Sequence, residues 1–195
     1  RGYSFTAYAY GIKLGRIKLK VAGIHNIYNA LSVIATASYF NIPFSHQKKA
    51  LEGFCGVERR NEYLGKVGDM DIYADYAHHP KEISATLNAF CQCDQDFITI
   101  FQPHTYSRTK LLMQDFVEVL SSINNLVIMD TYPAREEFDK QGSANTLYKN
   151  LIKDNKKQVY FVKNYKQLKS IINNKKDVYK KALFLGAGDI YDMAK

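Results

Sequence analysis

The sequence lacks tryptophan, has only three cysteines and contains no apolar run that approaches the roughly 18 residues needed to span a membrane. Without such a run or a secretory signal pattern, we expect no membrane partner. Cys55, Cys91 and Cys93 have no disulfide-framework spacing, which indicates free thiols in a reducing compartment. Cys91 and Cys93 are also too close to each other to predict a metal knuckle without further ligands. These absences predict a cytoplasmic protein with no metal site in this chain.

Acidic residues are scarce at the start of the chain. Residues 1–56 hold seven Lys or Arg and one acid, whereas residues 57–195 hold twenty Lys or Arg and eighteen acids. This change predicts a domain boundary near residue 57. The basic residues are not clustered and interleaved with aromatic residues as on a nucleic-acid surface, so we expect no nucleic-acid partner.

Two strands and two helices are predicted before this boundary. Residues 3–10 and 16–21 read as a hairpin around a turn at residues 11–15. A helix follows from Gly23 to about residue 40, and Ser45 is expected to cap a second helix. His25 and Asn29 lie one turn apart on the first helix, with Asn26 beside them. A simple interpretation is that Asn26 caps this helix and His25 is merely exposed.

Strands and helices alternate after the boundary. We predict helices at residues 80–90, 108–120, 145–153 and 165–173. The strands are predicted at residues 62–67, 70–74, 97–101, 126–129, 158–162 and 182–185. Strands separated by helices of this length indicate right-handed crossovers, and therefore an α/β domain with a mostly parallel sheet.

Polar side chains are concentrated in the loops that follow four of these strands. The segment Asp75-Tyr76-Ala77-His78-His79-Pro80 joins a strand to a helix, and three further polar loops cover residues 102–109, 130–136 and 186–189. Because ligands bind at the carboxyl edge of open α/β sheets, these loops predict a site there. Gly186-Ala187-Gly188 alone is a weak signal, since it fits a tight turn equally well.

Two other chemistries are disfavoured at this edge. The adjacent residues His78 and His79 point apart on a regular element, so a zinc site would need His104 and a fourth ligand. No cysteine lies in the polar loops, which argues against a Cys–His nucleophile.

Four motifs together resemble the Mur ligase family. They occur in the family's order and span essentially the whole chain: Gly23-Ile24-His25-Asn26-Ile27-Tyr28-Asn29-Ala30, Gly56-Val57-Glu58-Arg59-Arg60, the Asp75–Pro80 segment, and the loop from Gln102 to Thr109. The resemblance implies that residues 1–56 end the central ATP-binding domain. It implies a Rossmann-like C-terminal domain over residues 57–195.

The resemblance also implies a reaction. It is closest to the member that uses ATP and Mg²⁺ to join L-alanine to UDP-N-acetylmuramate through an acyl phosphate, in peptidoglycan synthesis. The phosphate loop and the UDP-sugar domain are missing, so we expect a piece of a longer enzyme that is inactive alone. Two alternatives stay open: a related ligase that recycles murein tripeptide, and a non-catalytic nucleotide-binding domain.

The matching motifs imply which residues of this chain correspond to the family's functional residues. For ATP the resemblance implies adenine contacts from His25, Asn26 and Asn29, a phosphate contact from Arg60, and ribose and nucleotide contacts from Asp75 and Tyr76.

For L-alanine it implies binding by His78, His104 and Arg108, of which His78 and Arg108 are also the implied catalytic residues. A guanidinium can hold the substrate carboxylate with two parallel hydrogen bonds. Three positions depart from the family pattern: Asn61, Ala74 and Thr105, the last standing where arginine is frequent.

Overall fold

The computed structural model describes residues 2–21, 23–91, 96–154 and 158–195. The chain divides into two compact units, Arg1–Val57 and Glu58–Lys195, within one residue of the change in composition. Cys55 is exposed and its thiol is free. Cys93 lies outside the described residues, as does the side chain of Cys91.

A hairpin and two helices form the first unit. Strands β1 (Ser4–Ala9) and β2 (Ile12–Lys18) are antiparallel, and helices α1 (Ile24–Tyr39) and α2 (Phe44–Gly53) follow. The turn is tighter than the sequence predicted, because Tyr10 and Gly11 make it alone, both at positive φ. The core consists of six buried residues: Ala7, Ile17, Leu19, Ala30, Ile34 and Leu51.

Two local expectations in this unit are wrong. Gly15 lies inside β2, paired with Ala7 beside a register shift, and not in the turn. Helix α2 begins directly after Pro43, so Ser45 is inside the helix and does not cap it. Proline fixes its own φ without needing an amide hydrogen bond, which suits this entry to the helix.

A six-stranded sheet forms the second unit. Its strands are β3 (Glu62–Val67), β4 (Met70–Asp75), β5 (Phe97–Phe101), β6 (Asn125–Met129), β7 (Gln158–Val162) and β8 (Lys181–Leu185). The strand order is β3-β4-β8-β5-β6-β7, with β3 antiparallel to β4 and every other pair parallel. The mostly parallel α/β sheet expected from the sequence is confirmed.

The helices of this unit are α3 (Pro80–Cys91), α4 (Tyr106–Leu111), α5 (Met113–Ser121), α6 (Ala144–Leu151), α7 (Tyr165–Lys175) and α8 (Ile190–Ala194). Short 3₁₀ turns cover Lys140–Gly142 and Ile152–Asp154. The helix predicted over residues 108–120 is really two helices that break at Leu112. The five-residue helix α8 was not predicted from the sequence.

The side chains of the sheet pack into two clusters. One contains Ile98, Ile100 and Phe184, and the other contains Phe101, Leu183 and Leu185, so adjacent residues of β5 and β8 belong to opposite clusters. Burial on both faces explains why these strands are nearly all apolar. Within the described residues, no helix is long and apolar enough to cross a membrane.

Candidate functional site

Asp75 organises the turn that follows β4. The residue is 7% exposed, and its carboxylate accepts hydrogen bonds from the backbone N–H groups of Asn61 and Ala77, each at 2.8 Å. It also accepts one from the Thr86 hydroxyl at 3.2 Å. Both carboxylate oxygens are therefore engaged within the protein. Asp75 therefore has a structural role in the turn, and its expected contact with a ribose stays a prediction.

The start of α3 fixes the ring of His78. Glu82 accepts hydrogen bonds from the N–H groups of His78 (3.1 Å) and His79 (3.3 Å). Burial opposes ionisation of Glu82, but the His78 N–H and imidazole, the His79 N–H and the charge of Arg60 hold its pKa below the ordinary value. The Nδ1 atom of His78 lies 3.0 Å from the carbonyl oxygen of Tyr76. Because a carbonyl only accepts, Nδ1 carries the proton in the neutral ring, which leaves a lone pair on Nε2.

His104 and Arg108 form a pair at the end of β5. The Arg108 Nη1 atom lies 3.3 Å from Nδ1 of His104 and 3.4 Å from its carbonyl oxygen. Burial lowers the pKa of His104 and the charge of Arg108 lowers it further, as His78 does when it is protonated, against the opposite effect of Glu136. A neutral His104 that accepts from Arg108 at Nδ1 carries its proton on Nε2.

Four rings lie in a row along this edge of the sheet. The centroids of Tyr76 and His78 are 5.3 Å apart, those of His78 and His104 are 5.9 Å apart, and those of His104 and Tyr132 are 5.4 Å apart. The last two rings are stacked, and a parallel bridge joins the backbones of His104 and Tyr132. The structure thus brings the predicted residues Tyr76, His78, His104 and Arg108 together in one cluster.

The two arginines after Val57 differ in their surroundings. The guanidinium of Arg59 lies 4.4 Å from the centre of the Tyr191 ring. The Glu62 carboxylate accepts hydrogen bonds from both the Arg59 N–H and the Tyr191 hydroxyl. Arg60 is exposed. Its charge helps to lower the pKa of Glu82, so it lies near the start of α3. Arg60 is accordingly the more accessible cation of the pair.

The turn at Gly186-Ala187-Gly188 is shaped by packing against Gln102. The amide of this buried residue donates to Asp189 at 2.7 Å and accepts from the N–H of Ile190 at 3.2 Å. A Cβ at Gly188 would lie 2.6 Å from both Oε1 of Gln102 and a ring carbon of Tyr132. The glycines are explained by this close approach without any ligand.

The residues expected to contact adenine lie at the start of α1, in the first unit. His25 and Asn29 are exposed, and the Asn29 amide lies 3.4 Å from the side-chain oxygen of Asn26. The N-cap is Gly23 and no side chain caps the helix, so the capping role considered for Asn26 is wrong. The exposed imidazole of His25 and the exposed amide of Asn29 offer donors and acceptors of the kind that a nucleobase edge requires.

Ser107 and Glu136 belong to two of the predicted polar loops, but their contact at the start of α4 was not predicted. Glu136 accepts hydrogen bonds from both the N–H and the hydroxyl of Ser107. The described part of the chain contains no group of three or more His, Cys, Asp or Glu side chains that could hold a metal ion.

Comparison with known proteins gives a family match over most of the second unit. The family described as "Mur ligase, glutamate ligase domain" matches residues 59–188. The UDP-N-acetylmuramate–L-alanine ligase of Aquifex aeolicus (strain VF5) is 40% identical over 190 residues, covering 96% of this chain and 40% of that protein. The ligase of the same name from Caldanaerobacter subterraneus subsp. tengcongensis is 37% identical over 193 residues, covering 98% of this chain and 42% of that protein.

Solved structures agree with the fold. The UDP-N-acetylmuramate-alanine ligase of Thermotoga maritima superposes with a TM-score of 0.72 at 29% identity, over 94% of this chain and 39% of that one. A murein peptide ligase from Psychrobacter arcticus has a TM-score of 0.68 at 19% identity, over 97% of this chain and 40% of that one. At that identity the second match shows the fold alone. This chain spans about 40% of the length of the curated relatives it matches.

Proposed function

This chain belongs to the Mur ligase family, and we propose that it is the C-terminal part of an enzyme that joins L-alanine to UDP-N-acetylmuramate in the cytoplasm. The observation that carries the proposal is the cluster of His78, His104 and Arg108 at the carboxyl edge of the sheet. Relatives that carry this activity in their names align with nearly the whole chain, which supports the same choice of substrate.

Arg108 is the proposed anchor for the carboxylate of L-alanine. A guanidinium has five N–H donors, and only Nη1 of Arg108 is directed at His104. The remaining donors suit the planar, two-point recognition of a carboxylate. His104, neutral and with its proton on Nε2, adds one more donor beside the anion.

His78 is the proposed base for the amine of L-alanine. In the proposed reaction the muramoyl carboxylate takes the γ-phosphoryl group of ATP to give an acyl phosphate and ADP. The amine then attacks the acyl carbon, and phosphate leaves. An amine attacks only as the free base, so a proton must leave the ammonium group. The lone pair on Nε2 of His78 is suited to accept it.

ATP contacts are proposed in each unit separately. In the first unit His25, Asn26 and Asn29 would bind the adenine through the uncapped start of α1. In the second unit the exposed Arg60 would bind phosphate, and Tyr76, which is 39% exposed, would line the nucleotide. Asp75 is a weaker candidate for the ribose contact, because both its carboxylate oxygens already accept hydrogen bonds within the protein. Mg²⁺ would accompany ATP with ligands from elsewhere in the enzyme, and the chain alone would be inactive.

The experiment measures phosphate release by the full-length enzyme with Mg-ATP and UDP-N-acetylmuramate, with L-alanine or murein tripeptide as the acceptor. Release that depends on L-alanine supports the proposal, whereas release only with tripeptide identifies the recycling ligase. If no phosphate is released with either acceptor, the result favours a non-catalytic nucleotide-binding role.

Arg108→Ala tests the site itself. We expect the KM for L-alanine to rise about 100-fold, because the carboxylate loses its charged partner, while the KM for ATP is unchanged. Lys169→Ala, which removes an exposed cation on α7, is the control and should change neither constant. An unaltered alanine KM in Arg108→Ala would remove this residue from the proposed role.

A further inference from the structure

We propose that Glu136 is a positioning residue for L-alanine binding, because its carboxylate fixes the first turn of α4 and thereby the Arg108 guanidinium. This inference rests on the proposed function of the same site. Glu136 itself is assigned no contact with substrate. Glu136 lies in the loop after β6, whereas Arg108 lies in α4, the helix that follows β5, so the contact connects segments that follow two neighbouring strands of the sheet.

The contact between Glu136 and α4 involves both carboxylate oxygens. One oxygen accepts from the backbone N–H of Ser107 at 2.9 Å, and the other accepts from the Ser107 hydroxyl. Hydrogen bonds from Ser107, with smaller contributions from the Tyr106 backbone and the Thr105 side chain, hold the pKa of Glu136 below its ordinary value. The carboxylate therefore holds Ser107 through both its backbone and its side chain, and the next residue along the chain is Arg108.

Helix α4 needs such an external partner. It has only six residues, too few for a helix to be stable by itself. Its N-cap, Thr105, has φ 68° and ψ 143°, a conformation that a β-branched residue rarely adopts. The capping bond from the Arg108 N–H to the Thr105 hydroxyl is long, at 3.4 Å. Local interactions alone therefore hold this turn weakly.

The loop after β6 contacts the first turn of α4 and the residues just before it at two points. The carbonyl oxygen of Tyr132 accepts from the Thr105 N–H at 2.9 Å, and the Tyr132 ring stacks on His104. Glu136 holds Ser107 four residues further along the same loop. The Tyr132 contacts fix the position of His104, and the Glu136 contact fixes the position of Ser107, the residue before Arg108. Negative charge at a helix N-terminus also interacts favourably with the helix dipole.

The experiment uses the full-length enzyme and five variants. These are Glu136→Ala, Glu136→Gln, Ser107→Ala, the double variant Ser107→Ala with Glu136→Ala, and the control Glu137→Ala, which removes the neighbouring exposed acid. We expect Glu136→Ala to raise the KM for L-alanine about 10-fold, with kcat and the KM values for ATP and UDP-N-acetylmuramate nearly unchanged. Glutamine keeps an acceptor for the Ser107 N–H, so Glu136→Gln should restore part of the affinity.

The double variant tests whether the two residues act through each other. If they do, Ser107→Ala adds little to the effect of Glu136→Ala, because the contact is already lost. Hydrogen exchange of the Ser107 and Arg108 amides in the full-length enzyme is the second readout, and does not depend on activity. Exchange of both amides should be faster in Glu136→Ala and unchanged in Glu137→Ala.

The outcomes separate this inference from the proposed function. If the unaltered enzyme releases phosphate with L-alanine but Glu136→Ala behaves like Glu137→Ala, the inference is wrong and the function stands. If all three KM values rise together, Glu136 supports the fold in general, which also overturns the inference. If the unaltered enzyme does not use L-alanine, the proposed function fails and with it the role in alanine binding. The exchange data then show whether Glu136 still fixes the turn.

Discussion

His78 and His104 have opposite tautomers, and each tautomer is set by a neighbour. The Tyr76 carbonyl accepts a hydrogen bond from the Nδ1–H of His78, whereas Arg108 donates to Nδ1 of His104. One ring therefore has a free lone pair and the other an N–H group, with centroids 5.9 Å apart. Together with the guanidinium, they offer an acceptor for an ammonium group and donors for a carboxylate. A free amino acid carries both of these charges, which suits the proposed substrate.

Asp75→Asn separates the structural role of this residue from the ribose contact that the resemblance implies. An amide group replaces one acceptor oxygen with a donor, which then faces an N–H or O–H group that also donates. We expect the free energy of unfolding to fall by about 2 kcal/mol, measured by urea denaturation. Asp69→Asn, at an exposed turn, is the control and should have little effect. Unchanged stability with a higher KM for ATP would instead favour the ribose role.

The sequence indicated which residues lie together at the sheet edge better than how they are connected. Asp75, His78, His104 and Arg108 stood out because polar loops that follow parallel strands meet at one edge. Ser107 and Glu136 lie in two of these loops, but their contact spans 29 positions and follows no helical or strand periodicity, so the pairing could not be predicted. The partners of Gln102 were equally unpredictable, because Asp189 and Ile190 lie 87 and 88 positions away.

At the scale of elements, α4 depends on a close approach between two backbones. Gly142 ends the 3₁₀ turn before α6, and a Cβ added there would lie 1.9 Å from the Tyr106 carbonyl oxygen. Lys110 and Asp139 add an ion pair at 3.0 Å between the same two elements. The position of α4 is therefore set by the segment before α6 as well as by Glu136.

Gly142→Ala should disturb this packing. Because the clashing atom belongs to the backbone, α4 or the 3₁₀ turn must shift, and we expect a loss of about 2–3 kcal/mol in the free energy of unfolding. The KM for L-alanine should rise as well, since Arg108 moves with α4. Gly53→Ala is a suitable control, because no atom lies within 4 Å of the added Cβ. A variant as stable as the unaltered chain would show that the two backbones can separate without cost.

Strands were easier to predict than the ends of helices. Three strands, β3, β5 and β7, lie where the alternation and apolar runs placed them. The break at Leu112 escaped prediction because the apolar pattern continues through it from α4 into α5. Gly15 was assigned to a turn because glycine favours turns, whereas here it accommodates a register shift inside β2.

At the scale of the whole molecule, the two units differ in how much apolar surface they bury. Among the described residues, the second unit has two core clusters of fifteen buried residues each, on a six-stranded sheet. The first unit has six buried core residues. It also exposes large apolar side chains, among them Tyr8, Tyr10, Ile12, Ile24 and Tyr28. Since burial of apolar surface is the main favourable term in folding, the units should differ in independent stability.

Separate expression of the two units tests this difference. We expect the fragment of residues 58–195 to unfold in one cooperative urea transition, with a free energy of unfolding in the range of about 5–15 kcal/mol for small domains. The fragment of residues 1–57 should show no cooperative transition, because a core of six residues cannot offset the conformational entropy of the chain. Circular dichroism in the far and near ultraviolet is the measurement for both fragments. A gradual, non-cooperative signal from residues 58–195 would mean that the six-stranded sheet requires residues outside its own unit to fold.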